Sequence, residues 1–170
     1  MAAWVRNWTK GLSDAHRERI LTIEYGGMNS VLYDLAEATG KEEYRDLAHW
    51  FDQKAFFDPL AARRDELTGL HANTQFPKVL GAARRYELTG ETRYRDIAEY
   101  FWREVTSQRV YATGGTSDGE RWETPPGVLS KQRTGWSWHQ LGALGGVYES
   151  SHEGGAGAAA SGAVAVAFAS

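Results

Sequence analysis

The sequence contains no cysteine among its 170 residues. This composition excludes structural disulfides and any metal site built from thiolates. Charge of one sign is also lacking, because 22 acidic and 19 basic residues leave a net charge of −3. No basic stripe is present, so we expect no nucleic acid partner.

Long apolar runs are absent as well, and we therefore expect no transmembrane span and no membrane partner. The opening residues, MAAW, have no basic segment followed by an apolar run, so no secretory signal is recognised. A cytoplasmic location is the expectation, although a truncated start would hide such a signal. Seven Trp and eight Tyr are many for this length, and such rings pack between helices more often than they stack on sugars.

A repeat with an offset of 50 residues organises the chain. Residues 39–51 and 89–101 each begin with Thr-Gly and are identical at seven of thirteen positions. Each copy follows a helical pattern, the first with an apolar stripe from Met28 to Ala38. A helix, a short Thr-Gly turn and a second helix in each copy predict stacked αα-hairpins in an open solenoid or a closed toroid. Residues 41–54 are predicted to be helical, whereas Asp58-Pro59-Leu60 is predicted to interrupt the chain before a short helical turn or loop.

A polar cluster containing His71, Asn73 and Gln75 precedes an apolar helical pattern that ends at Gly90. Pro77 suits a first helical turn, which would place the N-cap at Asn73 or Thr74 and His71 just outside the helix. Helix N-termini favour anions and hydroxyl groups. The residues alone leave two interpretations open, a polyol-binding cluster and a simple capping cluster.

Two further stretches present polar groups. A short extended segment is predicted at residues 110–113, and the loop that follows at 114–127 is rich in Gly, Pro and carboxylates. In this loop Glu120 stands between Gly119 and Arg121-Trp122. A glycosidase needs a carboxylic acid that protonates the leaving oxygen, but a solvated acidic turn explains the same residues. The stretch EYGGMN at residues 24–29 contributes Glu24 and Asn29 at a helix start, and taken alone it is more typical of a helix cap.

Taken together, three motifs resemble the catalytic domain of glycoside hydrolase family 127, the β-L-arabinofuranosidase-like family. They are EYGGMN at 24–29, LHANTQFPK at 70–78, and YATGG followed by DGERW at 111–122. The resemblance implies an all-α fold, part of an (α/α)6 barrel built from αα-hairpins. It also implies a carbohydrate partner and hydrolysis of terminal L-arabinofuranosides or related sugars with retention of configuration.

The resemblance assigns roles to residues at matching positions. It implies that Glu120 is the catalytic general acid/base and that His71 binds substrate. It also places Glu24, Asn29, Asn73 and Gln75 at motif positions with substrate-binding roles. The complete family domain is expected to hold zinc through cysteine ligands, one of which is the nucleophile, and these ligands are absent from this chain.

We therefore expect residues 1–130 to form a partial family 127-like catalytic domain that is inactive as it stands. Residues 131–170 lose the resemblance and become rich in Gly, Ala and Ser. We expect this tail to be an aberrant or low-complexity, disordered segment. Two alternatives remain open. One is another (α/α) barrel carbohydrate enzyme, of the uronyl hydrolase or epimerase type, and the other is a non-enzymatic helical-repeat binding module.

Overall fold

The computed structural model describes residues 1–23, 25–111, 115–117 and 120–128. Within these ranges the chain forms α-helices and one π-helical turn, and no strand longer than a single bridge between His71 and Arg121. The elements are α1 (Ala2–Thr9), α2 (Asp14–Leu21), α3 (Met28–Thr39), α4 (Glu42–Trp50), α5 (Lys54–Ala61), α6 (Ala72–Thr89), α7 (Thr92–Glu104) and the π turn (Val105–Arg109).

The predicted repeat is visible as two αα-hairpins, α3–α4 and α6–α7. Each turn contains a glycine in the left-handed region, Gly40 with φ 65° and Gly90 with φ 72°. Such backbone angles favour glycine because it has no Cβ. Helix α3 packs against both α4 and α6, and α6 packs against α7. This arrangement confirms the all-α prediction and is consistent with part of an (α/α) barrel.

Two apolar clusters hold the hairpins together. One joins α3 and α4 through Leu32, Tyr33, Leu47 and Phe51, and it also includes Leu21 from α2. The other joins α5, α6 and α7 and receives Trp122 from the downstream loop. Its aromatic members include Phe56, Phe57, Phe76, Tyr94 and Phe101.

A buried polar network links the first hairpin to α6. The Asp52 carboxylate accepts hydrogen bonds from Tyr33 Oη (2.8 Å), Asn29 Nδ2 (3.3 Å) and Arg85 Nη1 (2.7 Å). Burial raises the pKa of Asp52, while the hydrogen bonds from Arg85 and Tyr33 lower it. Burial also raises the pKa of Tyr33, so this hydroxyl stays protonated and acts as the donor.

The position of the α6 start was predicted wrongly. The N-cap is His71, and Pro77 lies inside the helix instead of in its first turn. The first turn is held by side chains and by the distant loop. Thr74 Oγ1 and Gln75 Nε2 donate to the His71 carbonyl (3.0 and 3.1 Å), and the Ala72 amide donates to the Glu120 carbonyl (2.8 Å). The preference of proline for a first helical turn does not take these contacts into account. They fix the start of α6 at His71, and the prediction from Pro77 was therefore wrong.

The predicted interruption at Pro59 is also wrong, because α5 continues through this residue from Lys54 to Ala61. Phe56, Phe57 and Leu60 are nearly fully buried on this helix. Their burial outweighs the single backbone hydrogen bond that proline removes. Helix α4, predicted over 41–54, ends at Trp50, and residues 51–53 separate it from α5.

The predicted disorder of residues 131–170 lies outside the described residues. Among the residues that are described, no helix combines the length and apolar character needed to cross a bilayer.

Candidate functional site

The loop that carries Glu120 lies along the segment that leads into α6. Backbone hydrogen bonds join Gly69 N to Trp122 O (2.8 Å), Trp122 N to Leu70 O (3.1 Å) and Ala72 N to Glu120 O (2.8 Å). This short antiparallel ladder brings residues about 50 positions apart into register. It also uses an amide at the start of α6 that would otherwise lack a partner within the helix.

The ladder places the Glu120 carboxylate beside the His71 imidazole. Glu120 Oε2 lies 3.1 Å from His71 Nε2, within hydrogen-bonding distance. The His71 side chain is 22% exposed and that of Glu120 is 54% exposed, so both groups can be reached from solvent. A carboxyl group next to an imidazole can donate or accept a proton at one accessible point.

Trp122 anchors the loop in the core two residues beyond Glu120. Only 2% of Trp122 is exposed, and its ring contacts Phe76 and Phe101 at centroid distances of 6.1 and 6.0 Å. Because both phenylalanines lie on helices, the loop is fixed to α6 and α7. Arg121, which stands between Glu120 and Trp122 in the sequence, donates from Nη1 to the Gly69 carbonyl (2.9 Å).

Asn73 and Gln75 lie in the first turns of α6, close in sequence to His71. Gln75 is 5% exposed, and its Nε2 donates to the His71 carbonyl and to Thr74 Oγ1. The side-chain oxygens of Asn73 and Gln75 are buried and accept no hydrogen bond from the residues that the structure describes. The structure therefore gives Gln75 a role in supporting the His71 turn, and substrate contact by either residue stays a prediction.

The structure does not bring Asn29 to the His71–Glu120 pair. Asn29 is fully buried, donates to the Lys78 carbonyl (3.0 Å) and to Asp52, and covers the helical glycine Gly81. Its observed contacts join α3 to α6, and its predicted substrate contact stays a prediction. Glu24 falls outside the described residues.

A cavity of about 330 Å³ lies beside the first turns of α6. Gln53, Gln75 and Lys78 form polar parts of its wall, whereas Phe56 and Leu67 contribute apolar parts. Lys78 is only 4% exposed, and its Nζ donates to Gln53 Oε1 (2.8 Å) and lies 4.7 Å from the Tyr25 ring centroid. Lys78 was not among the predicted site residues, because no local pattern distinguishes a buried lysine from a solvated one.

The chain does not offer the ligands of the expected zinc site. It has no cysteine, and no group of three His, Asp or Glu side chains is placed to hold a metal in the ranges listed above. Structural and catalytic zinc sites normally use three or four such protein ligands. The residues present therefore do not fit the cysteine-ligated zinc that the family resemblance implies.

The backbone of Glu120 is in the left-handed region, with φ 68°. Because this region costs a residue with a Cβ about 1–2 kcal/mol, we expect Glu120→Gly to be more stable than Glu120→Ala by about 1 kcal/mol. Urea unfolding of the two variants measures this difference. Glu123 is the control position, because it lies nearby and its φ is not positive. At this position Glu123→Ala should be more stable than Glu123→Gly. The same order of stability at both positions would contradict the expected strain.

An all-α scaffold of αα-hairpins that presents an accessible carboxylate beside an imidazole defines a helical protein with a candidate acid–base site. A sequence model described as "Beta-L-arabinofuranosidase, GH127 catalytic domain" matches residues 1–134. The chain belongs to this family of glycoside hydrolases, which confirms the resemblance carried by the three motifs. A comparison with curated proteins gives no match.

Proposed function

We propose that His71 and Glu120 line a binding site for terminal L-arabinofuranosides, in which Glu120 is the general acid/base and His71 contacts the sugar. The single observation that carries this proposal is the 3.1 Å contact between Glu120 Oε2 and His71 Nε2 on an accessible surface. Family membership supports a carbohydrate substrate, and the pair supplies the kind of group that glycoside hydrolysis requires.

In the proposed reaction the Glu120 carboxyl protonates the glycosidic oxygen as the bond to the anomeric carbon breaks. His71 keeps the carboxyl group oriented through its Nε2, and the exposed edge of the imidazole lies against the bound sugar. A bound sugar would cover the exposed half of Glu120 and remove water from the proton-transfer point. This exclusion strengthens the electrostatic interaction between the carboxyl group and the leaving oxygen.

The sequence provides no cysteine that could act as the nucleophile. Zinc would supply an activated thiolate in the complete family domain, and no thiol exists in this sequence. The proposed contribution of this chain is sugar binding and proton transfer, and hydrolysis by the chain alone is expected at the background rate.

A titration with methyl β-L-arabinofuranoside tests this function. In ¹H–¹⁵N NMR spectra the sugar is expected to shift the His71 imidazole and Ala72 amide signals, while signals of α1, which packs against the first hairpin, stay unchanged. His71→Ala should abolish the shift of Ala72. The D-enantiomer of the glycoside serves as the ligand control, and Glu123→Gln serves as the protein control. Equal shifts with both enantiomers, or shifts that persist in His71→Ala, would remove the pair from sugar recognition.

A further inference from the structure

Arg109 lies at the end of the π turn, just before the loop that carries Glu120. It is 4% exposed, and its Nη2 contacts both carboxylate oxygens of Asp65 at 2.8 and 2.7 Å. The Asp65 side chain is 9% exposed, so the ion pair is almost completely shielded from solvent. Buried pairs of this kind depend strongly on each partner, because removing one leaves an uncompensated charge.

The same guanidinium holds the loop that carries Glu120. Arg109 Nη1 donates to the Thr124 carbonyl (3.1 Å), and the guanidinium carbon lies 5.8 Å from the Trp122 ring centroid. A longer contact runs from Nη2 to Thr68 Oγ1 (3.4 Å), and Thr68 itself donates to the Thr124 carbonyl (3.3 Å). Arg109 therefore contacts residues at the end of the ladder opposite Glu120.

The ladder connects this contact to the acid–base pair. Thr68 and Thr124 form one end of the two paired segments, and Glu120 with His71 forms the other. In the described part of the chain the loop is also attached through the Trp122 ring, through Arg121 to the Gly69 carbonyl and through Gly127 N to the Gln108 carbonyl (3.1 Å). The two paired segments are short. Holding them together at Thr68 and Thr124 therefore limits how far Glu120 can move away from His71 at the other end.

We propose that Arg109 is a positioning residue that, held by Asp65, keeps the Glu120 carboxylate beside His71. This inference rests on the proposed function for the assignment of Glu120 as the acid/base. Arginine suits the position because its planar fork reaches a carboxylate and a carbonyl at the same time. Lysine carries the same charge but presents it at a single point, so Arg109→Lys separates charge from geometry.

Amide hydrogen exchange in the full chain tests the positioning directly. In Arg109→Lys we expect the Ala72 and Trp122 amides, which donate to the loop ladder, to exchange on the order of tenfold faster than in the wild type. Amides in the middle of α3 should keep their rates. Asp65→Asn, which preserves shape, should give the same local pattern if Arg109→Lys fails to fold. Arg95→Lys, in an exposed ion pair with Asp96, is the matched control and should change neither amide.

The outcomes separate the two proposals. Unchanged exchange at Ala72 and Trp122, or an equal acceleration of all amides, would overturn the positioning role, since the second result shows only a global loss of stability. The methyl β-L-arabinofuranoside titration is repeated on a folded variant. If Arg109→Lys shows the local exchange pattern and the wild type binds no sugar, the proposed function fails while the local role of Arg109 stands. If the wild type binds sugar, the variant should bind on the order of tenfold more weakly because the pair is no longer held in place.

Discussion

Asp52→Ala is expected to lower the free energy of unfolding by about 3 kcal/mol. The substitution removes the acceptor for Tyr33, Asn29 and Arg85 in a site where Asp52 is 5% exposed. Arg85 keeps its second partner, Glu91, through Nε and Nη2 at 2.9 Å each. The loss of unfolding free energy should therefore lie at the lower end of the range for a broken buried ion pair. Urea unfolding followed by circular dichroism measures it.

Glu91→Ala provides the matched control, because it removes the other carboxylate from the same arginine. The Glu91 side chain is 42% exposed, and exposed ion pairs contribute less than about 1 kcal/mol. Asp52→Asn should fall between the two, since it keeps the volume and one acceptor oxygen. Equal losses for Asp52→Ala and Glu91→Ala would show that burial of the network does not determine its contribution.

Gly81→Ala should destabilise the protein by about 3 kcal/mol. A Cβ at Gly81 would overlap the side chain of Asn29, which is fully buried and held by Asp52 and the Lys78 carbonyl. In an unobstructed helix the same change stabilises by about 1 kcal/mol. The sign of the effect therefore reports how closely α3 and α6 approach one another.

A double-mutant cycle with Asn29→Ala tests the cause of the Gly81→Ala effect. Removing the Asn29 side chain makes room for the new methyl group, so the two losses should be clearly less than additive. Additive losses would show that the destabilisation comes from another source and that Asn29 is free to move aside.

The αα-hairpin repeat could be predicted from sequence because its signals are local. Thr-Gly turns and apolar residues at helical spacing recur in both copies, and the left-handed angles of Gly40 and Gly90 agree with them. Pro59 and Pro77 misled the prediction, because the helices around them are held by burial and by the Glu120 loop. Contacts of that kind connect distant parts of the chain and leave no local pattern.

The site was predictable only in part. The motifs named both His71 and Glu120, but only the fold shows that their side chains meet across 49 positions of sequence. Asn29, placed in the same set by its motif, is instead buried between α3 and α6. Arg109 and Asp65 carry no sequence signal, since an arginine at a helix end and an acid in a loop are common on any surface.

The central claim is that Glu120 transfers a proton to the leaving oxygen of an L-arabinofuranoside, and an external nucleophile tests it in this cysteine-free chain. With phenyl β-L-arabinofuranoside and azide, the azide nitrogen attacks the anomeric carbon, the bond to the phenolic oxygen breaks, and that oxygen takes the Glu120 proton. We expect α-L-arabinofuranosyl azide from the wild type and from Glu123→Gln, and we expect Glu120→Gln to form it more slowly on the order of 10²-fold or more. Equal formation of the azide by Glu120→Gln and the wild type, or none by the wild type above the protein-free rate, would contradict it.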